Sequence, residues 1–550
     1  MDKGMIFLEI ISFINDKLVW GAPMLALMLF TGVRFTVGTG FFQARRFPRI
    51  LRSTVFSRSD KNEGISPFAA MCQALAATLG TGNIAGVSTA LSIGGAGAVF
   101  WMWVSAFFGM MTGFAENTLG IMYRNKAQTA GDINSNHGAM YYIRDGLAES
   151  GKTRFLSKPL SVMFALLCLI SGFGMGNAAQ MNSASEAMKT SLGMPPLITG
   201  IVLAVLAAVI VFGGVKRISA FTSKLVPLMS GFYLIGCLYI IIINWSRLPE
   251  VFLQIISSAF GLRQIGGGIA GAAVRTAISM GFKRGVFSNE AGLGTSVFAH
   301  TASGIKSPVI CGMWSVFEIF FDTIVMCTLT ALVLLTAPCR AQSAYDALNS
   351  VSDKTQYFRV TDSGGLITNG EAFSDMTESI KCRSIYGNEF EVKLPTDSAY
   401  TNLYSITGIK TDSGIVSAKI EPVCGVGLAE YAFSSTFGKP AGYVLAVLVV
   451  MFAFSTVLGW SYFGGEAAAF LFGNKARVPY SVAFIAFSVV GAVVNMKAAW
   501  GISDMLNGLM AVPNLIAVLC LSDKVIDEVR KYEKENSGRV LKSSRSNLQV

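Results

Sequence analysis

Two short segments combine glycine with polar residues inside otherwise apolar surroundings. The first is Gly80-Thr81-Gly82-Asn83 and the second is Phe287-Ser288-Asn289-Glu290-Ala291-Gly292. Glycine lets a helix unwind, and an unwound turn frees backbone N–H and C=O groups that a regular helix keeps for itself. Freed N–H groups suit a carboxylate and freed carbonyls suit a cation, so the pair points to holding an ion and a zwitterion rather than to breaking bonds. Tight helix packing through small residues would explain either segment taken alone. Asn83, Asn289 and Glu290 weigh against it, because polar and ionisable groups are costly inside apolar runs. Other apolar stretches carry Asn177, Gln180 and Asn182, and Ser455, Thr456 and Trp460. Thr456 and Trp460 are four residues apart and share one helix face. Plain interhelical hydrogen bonding competes most strongly for Asn177, Asn182 and Ser455, and less for Gln180 and Thr456.

Three acids also lie in apolar runs: Glu290, Glu318 and Asp322. Their expected role is a packing ion pair with Arg284 or Lys283, with a proton relay at Glu290 as the alternative. His137 and His300 stand alone in the sequence, which argues against a metal or pH-sensing role. Among the nine cysteines, Cys72, Cys168, Cys237, Cys311, Cys327 and Cys520 read as small buried residues, and no metal pattern emerges.

The elements that position these residues must live in lipid. The chain has 550 residues, 52% hydrophobic and only 14% charged, against about 25% charged in soluble domains. Its mean hydropathy is +0.53. Backbone groups in lipid must be bonded internally, so helices follow. About eleven spans of sufficient length are expected, near 19–40, 66–93, 98–122, 159–191, 197–214, 225–245, 268–303, 308–336, 441–463, 479–496 and 501–521. The first apolar stretch is longer than a signal-peptide core and is expected to stay in the membrane.

Segments 43–63, 124–158, 215–224, 473–478 and the tail hold most short-loop Lys and Arg, and all fall on one side when spans are counted alternately. The N-terminus is then outside and the C-terminus inside. The formal net charge of +11 therefore reads as topology and not as a phosphate partner. Between 338 and 439 the chain turns polar, with alternating runs at 390–394 and 416–420, which predicts a small β-rich external domain. The tail after Asp523 mixes both signs of charge and is expected to form a short helix followed by disorder.

The two glycine interruptions occupy corresponding positions in two halves of the chain, the arrangement that marks a midplane binding site in secondary transporters. Spans two to six and seven to eleven then form two five-helix halves of inverted topology, with the first span outside the repeat. The expected organisation is an all-α polytopic membrane protein with an extra helix and basic loop at 1–65 and a first repeat at 66–245. The second repeat comprises 266–337 and 441–522, interrupted by the insertion at 338–440 and followed by a tail at 523–550. A membrane-embedded enzyme is disfavoured because no His-Glu-x-x-His or Gly-x-Ser-x-Gly pattern is present and the chain has 2 His residues. A channel is disfavoured because no filter segment repeats.

The chain resembles the alanine or glycine:cation symporter family, within the superfamily of LeuT-type five-plus-five fold. The resemblance covers nearly the whole chain. It is carried by Gly64-Ile65-Ser66-Pro67-Phe68, Gly80-Thr81-Gly82-Asn83-Ile84-Ala85-Gly86, Phe100-Trp101-Met102-Trp103 and Gly138-Ala139-Met140-Tyr141-Tyr142-Ile143. Arg284-Gly285-Val286-Phe287-Ser288-Asn289-Glu290-Ala291-Gly292, Phe454-Ser455-Thr456-Val457-Leu458-Gly459-Trp460 and Pro513-Asn514-Leu515-Ile516 continue it. The resemblance implies symport of alanine or glycine with sodium by alternating access, by a protein working as a monomer. Its alternatives are coupling to protons or another cation and a substrate such as glutamine or serine. It also implies a substrate pocket of Thr81, Gly82, Asn83, Gln180, Phe287, Ser288, Asn289, Thr456 and Trp460. Sodium would be held by Ala76, Leu79, Phe452, Ser455 and Thr456, an oxygen-only set suited to a hard cation. Trp460 and Phe287 would leave room for little beyond a methyl group.

Three departures from the family pattern stand out. The 338–439 insertion replaces a short connection. After Trp460, the family's Tyr-Tyr-Gly-Glu-Arg becomes Tyr462-Phe463-Gly464-Gly465-Glu466, which moves the carboxylate one place and loses the adjacent cation. Gly294-Thr295-Ser296-Val297-Phe298 replaces a run of small residues, and the bulk of Phe298 is expected to retune the cytosolic gate. Cys339 and Cys424 flank the insertion, and a bridge between them would tether it; three free thiols, or pairing through Cys382, are the alternatives.

Overall fold

A computed structural model describes residues 11, 13–54, 65–129, 137–261, 267–337, 423, 425–438 and 440–546, together with strands between 356 and 422. Among the described residues, eight helices are long and apolar enough to cross a membrane: Lys17–Gly38, Gly97–Gln128, Arg154–Leu192, Gly214–Ile243, Pro308–Thr336, Pro440–Phe472, Asn474–Val493 and Ala498–Cys520. The chain is a multi-pass membrane protein.

The expected eleven spans and the eight long helices differ at three places, each with a physical reason. In the expected span 66–93, the Pro67–Thr78 helix stops where Leu79 takes ψ 73°; one tight turn, Thr81–Asn83, follows before Ala85–Gly94 resumes. In the expected span 268–303, Gly267–Asn289 gives way to Ser296–Thr301. Between them Glu290, Gly292 and Gly294 take φ 56°, 91° and 70°, a left-handed region that glycine enters without penalty and glutamate does not. The third case, Pro196–Val211, is a single apolar helix of 16 residues, short of the roughly 20 that a perpendicular crossing requires.

Two long helices contain wide turns with no warning in the sequence. Gly174–Ala178 and Phe320–Cys327 are π-helical, a conformation that inserts an extra residue per turn and re-aims side chains, often at functional sites. They redirect Asn177 in the first helix and Asp322 and Thr323 in the second. Glycines then let the helices close. A β-carbon on Gly459 would lie 2.8 Å from Ala77 Cβ and 3.1 Å from Ala77 Cα, so the Pro440–Phe472 helix rests directly on the first broken helix.

Three short helices, Ala139–Ala148, Leu248–Ala259 and Gly425–Phe437, lie between the longer ones. The tail departs from expectation, since Ser522–Ser546 is one helix of 25 residues. Its Val525, Ile526 and Val529 are buried, and this apolar stripe is what holds a charged segment in helical form. Glu533 on the same helix pairs with Arg45 and Arg46.

The inserted segment contains strands β1 (Gln356–Arg359), β2 (Leu366–Thr368), β3 (Glu371–Phe373), β4 (Ser379–Arg383), β5 (Glu389–Lys393), β6 (Leu403–Thr411) and β7 (Gly414–Pro422). They pair antiparallel as β1-β6-β7, β2-β3 and β4-β5, with Ile406 opposite Ile420. The run at 416–420 lies within β7, and residues 390–393 of the other run lie within β5. The possible Cys339–Cys424 bridge lies outside the described residues.

Candidate functional site

The two helix breaks meet. A β-carbon on Gly82 would lie 3.2 Å from Phe287 Cδ1 and 3.4 Å from Ser288 Cα, so backbone touches backbone only because this residue has no side chain. Asn83 Nδ2 donates to Ser288 Oγ at 2.9 Å and to Asp322 Oδ1 at 2.8 Å. Asp322 Oδ2 accepts from Ser288 Oγ and from Thr323 Oγ1, each at 2.8 Å. One carboxylate thus ties together both breaks and the Pro308–Thr336 helix.

Asp322 is buried. Among the described residues no cationic side chain pairs with it, and Asn83 Oδ1 beside it is buried without a hydrogen-bond partner. A buried carboxylate served only by neutral donors, next to an unused carbonyl oxygen, is a favourable place for positive charge. The expected ion pair between Asp322 and Arg284 or Lys283 does not form.

Thr81 donates to Gln180 Oε1 from its backbone N at 3.0 Å and from Oγ1 at 2.9 Å. Thr456 Oγ1 donates to Ala76 O at 3.1 Å and to Phe452 O at 3.2 Å, while Ser455 Oγ donates to Phe452 O at 2.8 Å. Four of the five expected sodium ligands therefore form one cluster of oxygens. The fifth, Leu79, ends the adjacent helix. Asn289 is placed differently from the other expected pocket residues. Its Nδ2 donates to Thr323 Oγ1 at 2.9 Å and its Oδ1 accepts from Ala291 N at 3.0 Å, so its amide is committed to holding the break.

The two ends of the site are closed by different chemistry. At one end Arg284 makes two hydrogen bonds to Asp504, at 3.1 and 2.8 Å, and Lys283 Nζ lies 2.9 Å from the same carboxylate. Phe287 stacks on Trp500 with centroids 4.8 Å apart, and the Arg284 guanidinium lies over both rings. At the other end Trp460 Nε1 donates to Glu290 Oε1 at 2.9 Å, and Phe298 stacks on Phe463 at 5.3 Å. Glu290 therefore has Trp460, not Arg284 or Lys283, as its partner. His300 is not alone either: it lies 2.6 Å from Glu318 in a fully buried pair, which also removes Glu318 from the expected pairing.

Sequence reasoning missed Glu116, Thr323, Trp500 and Asp504, and it used Tyr142 and Asn514 only as parts of motifs. Glu116 accepts from Gly294 N at 3.1 Å and from Asn514 Nδ2, which also donates to Gly292 O at 2.8 Å. Tyr142 OH donates to Asn514 Oδ1. These groups hold the left-handed loop after the second break. A carboxylate in the middle of an apolar run, as at Glu116, was the available signal.

Paired broken helices around a buried polar network, in a multi-pass helical membrane chain, define a secondary transporter. The sodium:alanine symporter family model matches residues 5–361 and 403–545. The sodium/alanine symporter AgcS of Methanococcus maripaludis is 36% identical over 96% of this chain and 100% of its own length. The Bacillus subtilis protein named "Probable sodium/glutamine symporter GlnT" is 30% identical over 96% of this chain and 91% of its own. Among solved structures, a manganese transporter of Eremococcus coleocola overlays with a TM-score of 0.41 at 14% identity, covering 84% of this chain and 78% of that one. The chain belongs to the sodium:alanine symporter family. It is a cation-coupled amino-acid symporter by family and not an enzyme.

Proposed function

We propose that this protein imports a small neutral amino acid, alanine or glycine, together with sodium, by alternating access. The observation that carries this reading is the meeting of the two broken helices at a buried carboxylate, Asp322, that has no cationic partner among the described residues. The substrate lies between the breaks, against Thr81, Gly82, Asn83, Phe287 and Ser288, with Gln180, Thr456 and Trp460 around it. Asn289 acts there by positioning. Sodium is held by carbonyls of Ala76, Leu79 and Phe452 and hydroxyls of Ser455 and Thr456, all hard oxygen donors. Asp322, Asn83 and Ser288 hold further positive charge, either a second cation or the substrate ammonium.

The fold behind this reading is a LeuT-type pair of inverted five-helix repeats, 66–245 and 266–337 with 441–522, which places the two breaks at matching points. The distribution of Lys and Arg supports a cytosolic C-terminus, an external N-terminus and an external 338–440 insertion. One chain holds every group invoked, which supports a working monomer in the lipid bilayer. A larger substrate is the second reading, favoured by the likeness to a glutamine symporter; the buried bulk of Phe287 and Trp460 supports the smaller one.

Calorimetry on purified protein with alanine, glycine, serine and glutamine, in sodium and then in choline, tests the proposal. Alanine or glycine is expected to bind in sodium only. Preference for glutamine would refute the size argument, and equal binding in choline would refute the coupling.

A further inference from the structure

Beyond Trp460, at the end of the site opposite the Arg284–Asp504 pair, lies a chamber of about 510 Å³. Its polar wall is formed by His137, Lys216, Ser461, Glu466, Arg477 and Ser481. Glu466 Oε2 accepts from Arg477 Nη2 at 2.9 Å, and the Glu466 side chain is only 7% exposed. Here the cation missing from the family's Glu-Arg pattern reappears. It comes from the following helix, Arg477–Val493, so the charges stand on two walls of the chamber instead of side by side on one.

The Arg477 side chain is 37% exposed and spends Nη2 on Glu466, and among the described residues its Nη1 makes no hydrogen bond. Glu466 spends Oε2 on Arg477, and Oε1 remains as an acceptor. The remainder of the wall is largely aliphatic, with Val211, Val215 and Ile218.

We infer that this chamber is a second amino-acid subsite on the cytosolic exit path, where Arg477 Nη1 receives the carboxylate of a zwitterion and Glu466 receives its ammonium. The inference rests on the transport function and orientation proposed above. Lys216 and Arg477 beside Glu466 give the wall both signs of charge, which suits a zwitterion. The volume exceeds that of alanine, so the ligand enters with part of its water and binds weakly, as a transit site requires.

Two variants probe the chamber independently. Gly465 lines it, and a β-carbon there meets nothing within 4 Å. Gly465→Leu therefore adds bulk to the chamber from a position whose β-carbon is unobstructed, and it removes a weak helix former. Arg477→Gln removes the cation, and Arg477→Lys keeps charge without the planar fork. Sodium-driven alanine flux is measured in vesicles of each orientation, giving a half-saturation concentration at each face.

Both Gly465→Leu, by occupying the space, and Arg477→Gln, by losing one charge-assisted hydrogen bond, are expected to raise the cytosolic half-saturation about tenfold more than the external one. Arg477→Lys is expected to recover part of that loss. Unchanged half-saturation at both faces overturns the subsite, as does an equal rise at both, which would move the defect to the helix breaks. If removing anionic lipid from wild-type vesicles reproduces the Arg477→Gln effect, the chamber holds a lipid phosphate and the inference fails. Absence of sodium-driven alanine flux in the wild-type protein would instead refute the underlying function, and the subsite with it.

Discussion

Gly82 shows how much a single missing side chain decides. With Phe287 Cδ1 3.2 Å and Ser288 Cα 3.4 Å from the place of its β-carbon, the substitution Gly82→Leu drives bulk into the meeting point of the breaks. Alanine binding is expected to weaken at least about 100-fold, near 3 kcal/mol, in protein that still elutes as a folded species; calorimetry reads it. Asp322→Asn keeps the shape but removes the charge, and it should raise the sodium half-saturation of uptake about tenfold or more, with a sodium titration as the check. Wild-type sodium dependence in that variant would release Asp322 from the cation. The glycines and Asn83 were legible in the sequence because polarity inside an apolar run is costly. Asp322's role was not, because its partner Asn83 is 239 positions away and a π-helical turn, silent in the sequence, aims it there.

Helices are where length and polarity were readable and local geometry was not. The long apolar runs announced themselves, while the breaks turned two expected spans into pairs of shorter helices. The partners of buried charges were also hidden: Arg284 and Lys283 lie on the expected helix, but the acid they meet is Asp504 on the Met496–Cys520 helix. Asp504→Asn leaves two buried cations without their anion and is expected to cost about 3–5 kcal/mol of stability, read as a lower melting temperature in detergent. The tail helix is held more lightly. Glu149, beyond the membrane-spanning segments, pairs with Lys126 at 2.7 Å and with Lys524 of the tail. Burial raises its pKa, but the two lysines outweigh that and hold it below the ordinary 4.5. A depressed folded pKa means that the contribution is present above the ordinary value and is lost as pH falls through the folded one. At 39% exposure of the Glu149 side chain it amounts to less than about 1 kcal/mol. Protection of tail amides near Lys524 against hydrogen exchange, corrected for the intrinsic pH dependence of exchange, is expected to fall slightly as pH drops from neutral to below the ordinary 4.5, and Glu149→Gln should flatten that dependence.

At the scale of the whole molecule, the proposed site has an ion-pair cluster at one end and Trp460, Phe463 and Phe298 at the other, which suits the alternating access proposed above. The chamber beyond Trp460 belongs to that path. Sodium supplies the direction only if its binding and that of the amino acid favour the same state, since a ligand shifts an equilibrium by its differential affinity alone. The most direct measurement is alanine accumulation in proteoliposomes carrying an inward sodium gradient, with choline replacing sodium in the control. Alanine should rise inside above its external concentration, stop when the gradient is collapsed, and fail to rise in choline. Accumulation in choline equal to that in sodium, or equilibration without accumulation in sodium, would contradict sodium-coupled symport.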